Sequence, residues 1–165
     1  MEYRLIVTGG TIDKQYDPLT GELVLGDTYI PEMLARARLT DNIVVEKMLM
    51  KESTDITAAD REKIADACQA AKEDKIVITH GTSTMVETAK ALKKAGLPAS
   101  HTIVLTGAMV PYSFTTTSDA MFNLGTALAY CAAMPPGVYI AMHGIAFDPD
   151  NVRKNFQLGV FTLAD

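Results

Sequence analysis

Short β-branched and aliphatic runs alternate along the chain with stretches in which apolar residues recur every three or four positions. The runs Leu5-Ile6-Val7, Ile43-Val44-Val45, Ile76-Val77-Ile78, Ile103-Val104-Leu105 and Val138–Met142 predict strands. They lack strict apolar–polar alternation, as expected of parallel strands covered on both faces. Between them, Ile64, Ala67, Cys68 and Ala71 sit at helical spacing, as do Met85, Ala89 and Leu92, and later Ala120, Leu124, Ala127, Leu128 and Cys131. Thr57 through Asp60 and Ser118-Asp119 supply helix starts, and Gly96 with Pro98 a stop. Strand alternating with helix predicts one flavodoxin-like or Rossmann-like α/β domain, its sheet mostly parallel and its crossovers right-handed. The turn-rich segment from Tyr16 to Gly26 breaks this rhythm and predicts a β-hairpin flap with Thr20-Gly21 at its tip. From Asp148 to Asp165 the chain is polar and then strand-like, which suggests an edge hairpin.

Length and charge narrow the function. The 165 residues suffice for one full hydrophobic core, and 48% hydrophobic with 21% charged residues is ordinary for a soluble domain. A net charge of −5, with no Lys/Arg cluster, argues against nucleic acid or an anionic membrane surface as partner. Cys68 and Cys131 form no disulfide framework, and no Cys/His spacing suits zinc. No apolar run is long enough to span a bilayer, and the first strand begins too early for a signal peptide, so a cytoplasmic protein is expected.

Three strands end alike, in "LIVTGGT", "IVITHGT" and "IVLTGAM". Each closes on a threonine (Thr8, Thr79, Thr106) with a glycine within two residues. In an open parallel sheet these carboxyl ends share one edge, where ligands bind. Glycines there let the backbone turn sharply and leave amides exposed, while Thr11, Thr82, Ser83 and Thr84 bring hydroxyls to the same crevice. Small residues also simply suit strand–helix turns, and a threonine after a glycine turn is often only a helix cap. A nucleotide cradle ranks lower. "TGGT" is not G-x-G-x-x-G, and no G-x-x-x-x-G-K-[ST] occurs.

The segments "TGGTI" (8–12) and "HGTSTMVETA" (80–89) together resemble the two signatures of the bacterial-type L-asparaginases. The similarity continues through "VLTGAM" (104–109), "SDAMFNL" (118–124) and "NVRKN" (151–155), in the family's order. The resemblance implies hydrolysis of the side-chain amide of asparagine to aspartate and ammonia, without metal or organic cofactor. It implies Thr11 as the nucleophile that forms an acyl-enzyme, and Thr82 as a second threonine paired with Lys154. Tyr16 is similar to a flap tyrosine that helps activate the first threonine. Ser53 resembles the serine that holds the substrate α-carboxylate, with Thr54 beside it and Gly10, Gly81 and Ser83 completing the substrate-binding set. A homo-oligomer, dimer or tetramer, is expected. The chemistry suits these residue types, because a threonine hydroxyl needs a base or relay, and a lysine serves as base only when burial or charge lowers its pKa.

Two departures bear on the substrate. Ser83 stands where the family usually carries an aspartate that binds the substrate α-ammonium, and losing that charge-assisted bond costs about 1.5–3 kcal/mol. Another acid serves, the substrate differs (glutamine, or an amide lacking a free α-amino group), or the serine is an introduced change. An inactive amino-acid-binding module is the remaining alternative. Second, the chain resembles short, single-domain members, so the segment near Asp148–Asp150 or a neighbouring copy's flap is expected to close the site. Val110 also stands where many relatives carry arginine. His80 and His143, each before a glycine, are expected to order backbone, and Asp119 and Asn123 to cap or brace a helix.

Overall fold

The computed structural model describes residues 1–164 and builds a six-stranded sheet from β1 (Glu2–Gly9), β4 (Asn42–Lys51), β5 (Lys75–Thr79), β6 (Thr102–Thr106), β7 (Gly137–Met142) and β8 (Ile145–Phe147). Their spatial order is β4-β1-β5-β6-β7-β8. The first five are parallel, and only β8 runs antiparallel, pairing Ile140 with Phe147. Counting the parallel strands alone, the order is 2-1-3-4-5, the flavodoxin-like arrangement expected from the alternation.

The continuous apolar runs are explained by burial on both faces. Successive side chains of a strand point to opposite sides, so Leu5, Val7, Val77 and Val104 face one layer while Ile6, Ile76, Ile78 and Leu105 face the other. The first layer is closed by Ile30 and Met33 of α1 (Ile30–Ala37) and by Leu124, Ala127 and Leu128 of α4 (Ala120–Ala133). The second is closed by Ile64 and Cys68 of α2 (Ala58–Ala70) and by Met85, Ala89 and Leu92 of α3 (Met85–Lys94). Each such aliphatic side chain, fully buried, contributes about 1.5–3 kcal/mol of transfer free energy.

Local signals agree with the element ends. Thr57 accepts from Asp60 N while Asp60 accepts from Thr57 N, a reciprocal capping box at the start of α2. At α4 the cap comes from Ser118, whose Oγ accepts from Ala120 N at 3.1 Å. The flap is a hairpin of β2 (Lys14–Asp17) and β3 (Glu22–Leu25), with Gly21 at φ +76 in its turn. The predicted edge hairpin is a two-stranded ribbon of β9 (Arg153–Asn155) and β10 (Val160–Thr162), apart from the main sheet; Asp165 lies outside the described residues. Among the described residues no helix is long and apolar enough to cross a membrane.

Candidate active site

From β1 the chain leaves towards β4, whereas from β5 it leaves in the opposite direction towards β6. A crevice therefore opens between the carboxyl ends of β1 and β5, where α/β sheets bind ligands. Those two ends carry Gly10-Thr11 and Gly81-Thr82.

The turns touch each other. A Cβ on Gly10 would stand 2.3 Å from Gly81 Cα and 2.4 Å from its nitrogen, and Gly10 also holds φ +87. Both facts require glycine. Behind Gly81, a Cβ would meet Ser53 Cβ at 2.6 Å, so the turn after β4 packs directly on the turn after β5. Ser53 is buried in a single 3-10 turn (Ser53–Asp55), and its carbonyl accepts from Thr84 Oγ1 at 2.6 Å. The structure thus brings Gly10, Gly81 and Ser53 together at the crevice. Thr54, in the same 3-10 turn, is exposed.

Thr82 and Lys154 meet although 72 residues separate them: Lys154 Nζ donates to Thr82 Oγ1 at 2.7 Å. Thr82 is buried, and Lys154 is half-buried on β9 with its ammonium pKa lowered by desolvation. Burial disfavours the charged form, which moves this lysine towards the neutral state a base requires. A helix-cap role for Thr82 is not what the structure shows, since the cap residue of α3 is Thr84.

Thr11 opens a 3-10 turn, Thr11–Asp13, directly after Gly10, and no side-chain cap closes that turn. Among the described residues, no hydrogen bond reaches its hydroxyl, nor does one join it to Tyr16. Tyr16 stands in the flap opposite Leu23 and is 57% exposed. The flap is pinned at its base by Asp13, a residue not anticipated from the sequence. Its buried carboxylate accepts from Thr28 Oγ1 at 2.9 Å and Tyr29 N at 3.1 Å, and its carbonyl accepts from Gly26 N. Burial raises the Asp13 pKa above the usual carboxylate range. An acid directly after the otherwise uncharged "TGGTI" turn was the available signal.

Ser83 is exposed and lines a groove of about 310 Å³ with Val86, Glu87 and Lys90 of α3, Lys154 and Phe156. Asp148 and Asp150 do not close the site as expected. Both pair with Lys93 in the last turn of α3, at 2.7 Å each, roughly 12 Å along that helix from its first turn. Helix α3 begins at the site and ends at this ion pair, so the two acids are held at the wrong end.

The bracing residues behave as expected. Asp119 accepts from Met109 N and Val110 N, and Asn123 bridges from Gly107 O to His143 N. His80 is fully buried between Gly81 O and Thr88 Oγ1, and burial pushes its pKa down to about 4.

Comparison with known proteins agrees with this architecture. The family model described as "Asparaginase, N-terminal" matches residues 4–163. An L-asparaginase of Thermococcus kodakarensis is 34% identical over 97% of this chain and 49% of its own length. One subunit of the glutamyl-tRNA(Gln) amidotransferase of Methanococcus vannielii is 33% identical over 94% of this chain and 37% of its own. The thermostable L-asparaginase of T. kodakarensis, whose structure is solved, superposes with a TM-score of 0.86 at 32% identity, covering 99% of this chain and 51% of that one. A probable cytoplasmic L-asparaginase from Campylobacter jejuni gives 0.85 at 26% identity, over 99% of this chain and 53% of that one. The chain spans about half, or less, of the length of these relatives.

Proposed function

The chain belongs to the asparaginase family, and from that premise we propose that it is an amidohydrolase that converts L-asparagine to L-aspartate and ammonia through a threonine acyl-enzyme. The observation that carries the proposal is the 2.7 Å bond from Lys154 to Thr82 at the end of β5, against the turn that sets out Thr11. Thr11 Oγ1 attacks the amide carbon, and Tyr16, folding over with the flap, relays the hydroxyl proton, taking it up as its own phenol proton passes to the amide nitrogen. Backbone amides of the Gly10–Thr11 and Gly81–Thr82 turns stabilise the oxyanion, one such donor being worth roughly 3–4 kcal/mol. The tetrahedral intermediate collapses with loss of ammonia. Water then attacks the ester carbonyl, its proton passing through Thr82 to neutral Lys154, and that proton returns to Thr11 Oγ1 as the ester bond breaks and aspartate leaves. Ser53, buried behind Gly81, holds the α-carboxylate, with Thr54 at the rim. The same reading includes a homo-oligomer in the cytoplasm, and light scattering measures its size.

A second reading has support at Ser83. The groove beside it carries Lys90, Arg153 and Lys154 against the carboxylate of Glu87, a setting that favours a neutral or acidic substituent over an ammonium. An amide with an acylated α-amino group would suit it. Ammonia release from L-asparagine, L-glutamine and N-acetyl-L-asparagine tests both readings. Highest kcat/KM on asparagine, raised about tenfold or more by Ser83→Asp, is expected from the first. Preference for the N-acylated amide favours the second, and no release from any of the three overturns both.

A further inference from the structure

Besides donating to Thr82, the Lys154 ammonium lies 4.9 Å from the centre of the Phe156 ring. That is well inside the distance at which a ring face attracts a cation. Phe156 is 70% exposed, so core packing does not account for its place.

The ribbon fixes the backbone beside this ring. Asn155 Oδ1 accepts from Gln157 N at 3.0 Å and Leu158 N at 3.1 Å, and Gly159 N returns to Asn155 O at 2.9 Å. The turn is therefore locked immediately beside Phe156. Across the ribbon, Phe161 pairs with Lys154, is buried in the core and stacks against His143 at 6.1 Å between ring centres. Lys154 is carried on a strand anchored by one aromatic and covered by another.

We propose that Phe156 is a positioning residue for Lys154: its ring face holds the ammonium on the Thr82 hydroxyl and sets how readily the lysine releases its proton. A ring face attracts the charged lysine and has no such hold on the neutral amine. It therefore raises the lysine pKa, opposing the desolvation that lowers it. The other charged groups facing Lys154 across the groove are Glu87 and Lys90 on α3 and Arg153 on its own strand. They are common to every variant compared below, as is the Thr82 contact, so the ring is isolated as the cause of any difference.

The catalytic consequence rests on Lys154 acting as the base under Proposed function, but the decisive readout does not. Enzyme labelled with 15N at lysine Nζ would be titrated by NMR in the wild type, Phe156→Leu and Phe156→Tyr, with the Lys154 signal assigned from Lys154→Arg. Leucine keeps an apolar cover without a ring face, and tyrosine keeps the face. The Lys154 midpoint is expected to fall by about 0.4–0.7 pH unit in Phe156→Leu and to hold its wild-type value in Phe156→Tyr. The acid limb of kcat/KM for amide hydrolysis would move to lower pH by the same amount. An unchanged or raised midpoint in Phe156→Leu, or an equal fall in Phe156→Tyr, overturns the proposal. An inactive wild type with the expected midpoints would overturn the hydrolase reading and leave this one standing.

Discussion

Between Gly81 and Thr88, the His80 ring is fully enclosed, with Nδ1 on Gly81 O at 2.8 Å and Nε2 on Thr88 Oγ1 at 2.9 Å. Arg61 Nε donates to the same Thr88 hydroxyl, which leaves that hydroxyl free to donate to Nε2 and makes Nδ1 the protonated nitrogen. Burial keeps this neutral form down to about pH 4, against an ordinary value of 6.5. Between those values the unfolded chain binds a proton that the folded one refuses. Stability is therefore full above pH 6.5 and is lost as pH falls towards 4, by about 3 kcal/mol in all. Urea unfolding at a series of pH values checks this, and His80→Asn should flatten the slope whatever it does to absolute stability. His80 orders the β5 turn through these bonds, as its place before a glycine suggested. Thr82 and Lys154 differ in kind. No periodicity joins residues 72 apart, so their contact was legible only through the motifs "HGTSTMVETA" and "NVRKN".

At the scale of elements, the four inner parallel strands were readable because burial on both faces leaves each an apolar run. Strand β4 runs far beyond Ile43–Val45, to Lys51, because at the sheet edge none of its positions is fully buried and Glu46-Lys47 interrupt its apolar run. Helix α1 was not anticipated at all. It has only eight residues and opens on Ile30-Pro31; Ile30 and Met33 are buried and Leu34 packs partly against the core, a helical spacing that was legible but spans barely two turns. The pinning of the flap by Asp13 was equally hidden, since its partners, Thr28 and Tyr29, lie on the far side of the hairpin. What the glycine turns do was legible in part. Their sequence promised bare amides, while their mutual contact, Gly10 on Gly81 on Ser53, is a property of strand order. Gly10→Ala should thus drive a methyl group into the β5 turn and destabilise the protein by roughly 3–5 kcal/mol. Thermal unfolding measures it; a variant with wild-type stability would show that the two turns are not locked together.

For the molecule as a whole, the sheet order places β1 beside β5 and so brings the turns that carry Thr11 and Thr82 to one crevice. Relatives named L-asparaginase share this fold over roughly half their own length. The flap hairpin and the β9–β10 ribbon are separate two-stranded pieces appended to the sheet, one carrying Tyr16 and the other Lys154. The sheet thus sets the two turns side by side, and the β9–β10 ribbon brings Lys154 to Thr82. We propose that Thr11 and Thr82, on these turns, perform amide hydrolysis. Ammonia release from L-asparagine by the wild type, Thr11→Ala and Thr82→Ala, with circular dichroism confirming the fold of each, tests it most directly. Release by the wild type and its collapse in both variants, with the fold retained, is the predicted result; full activity in either folded variant would contradict it.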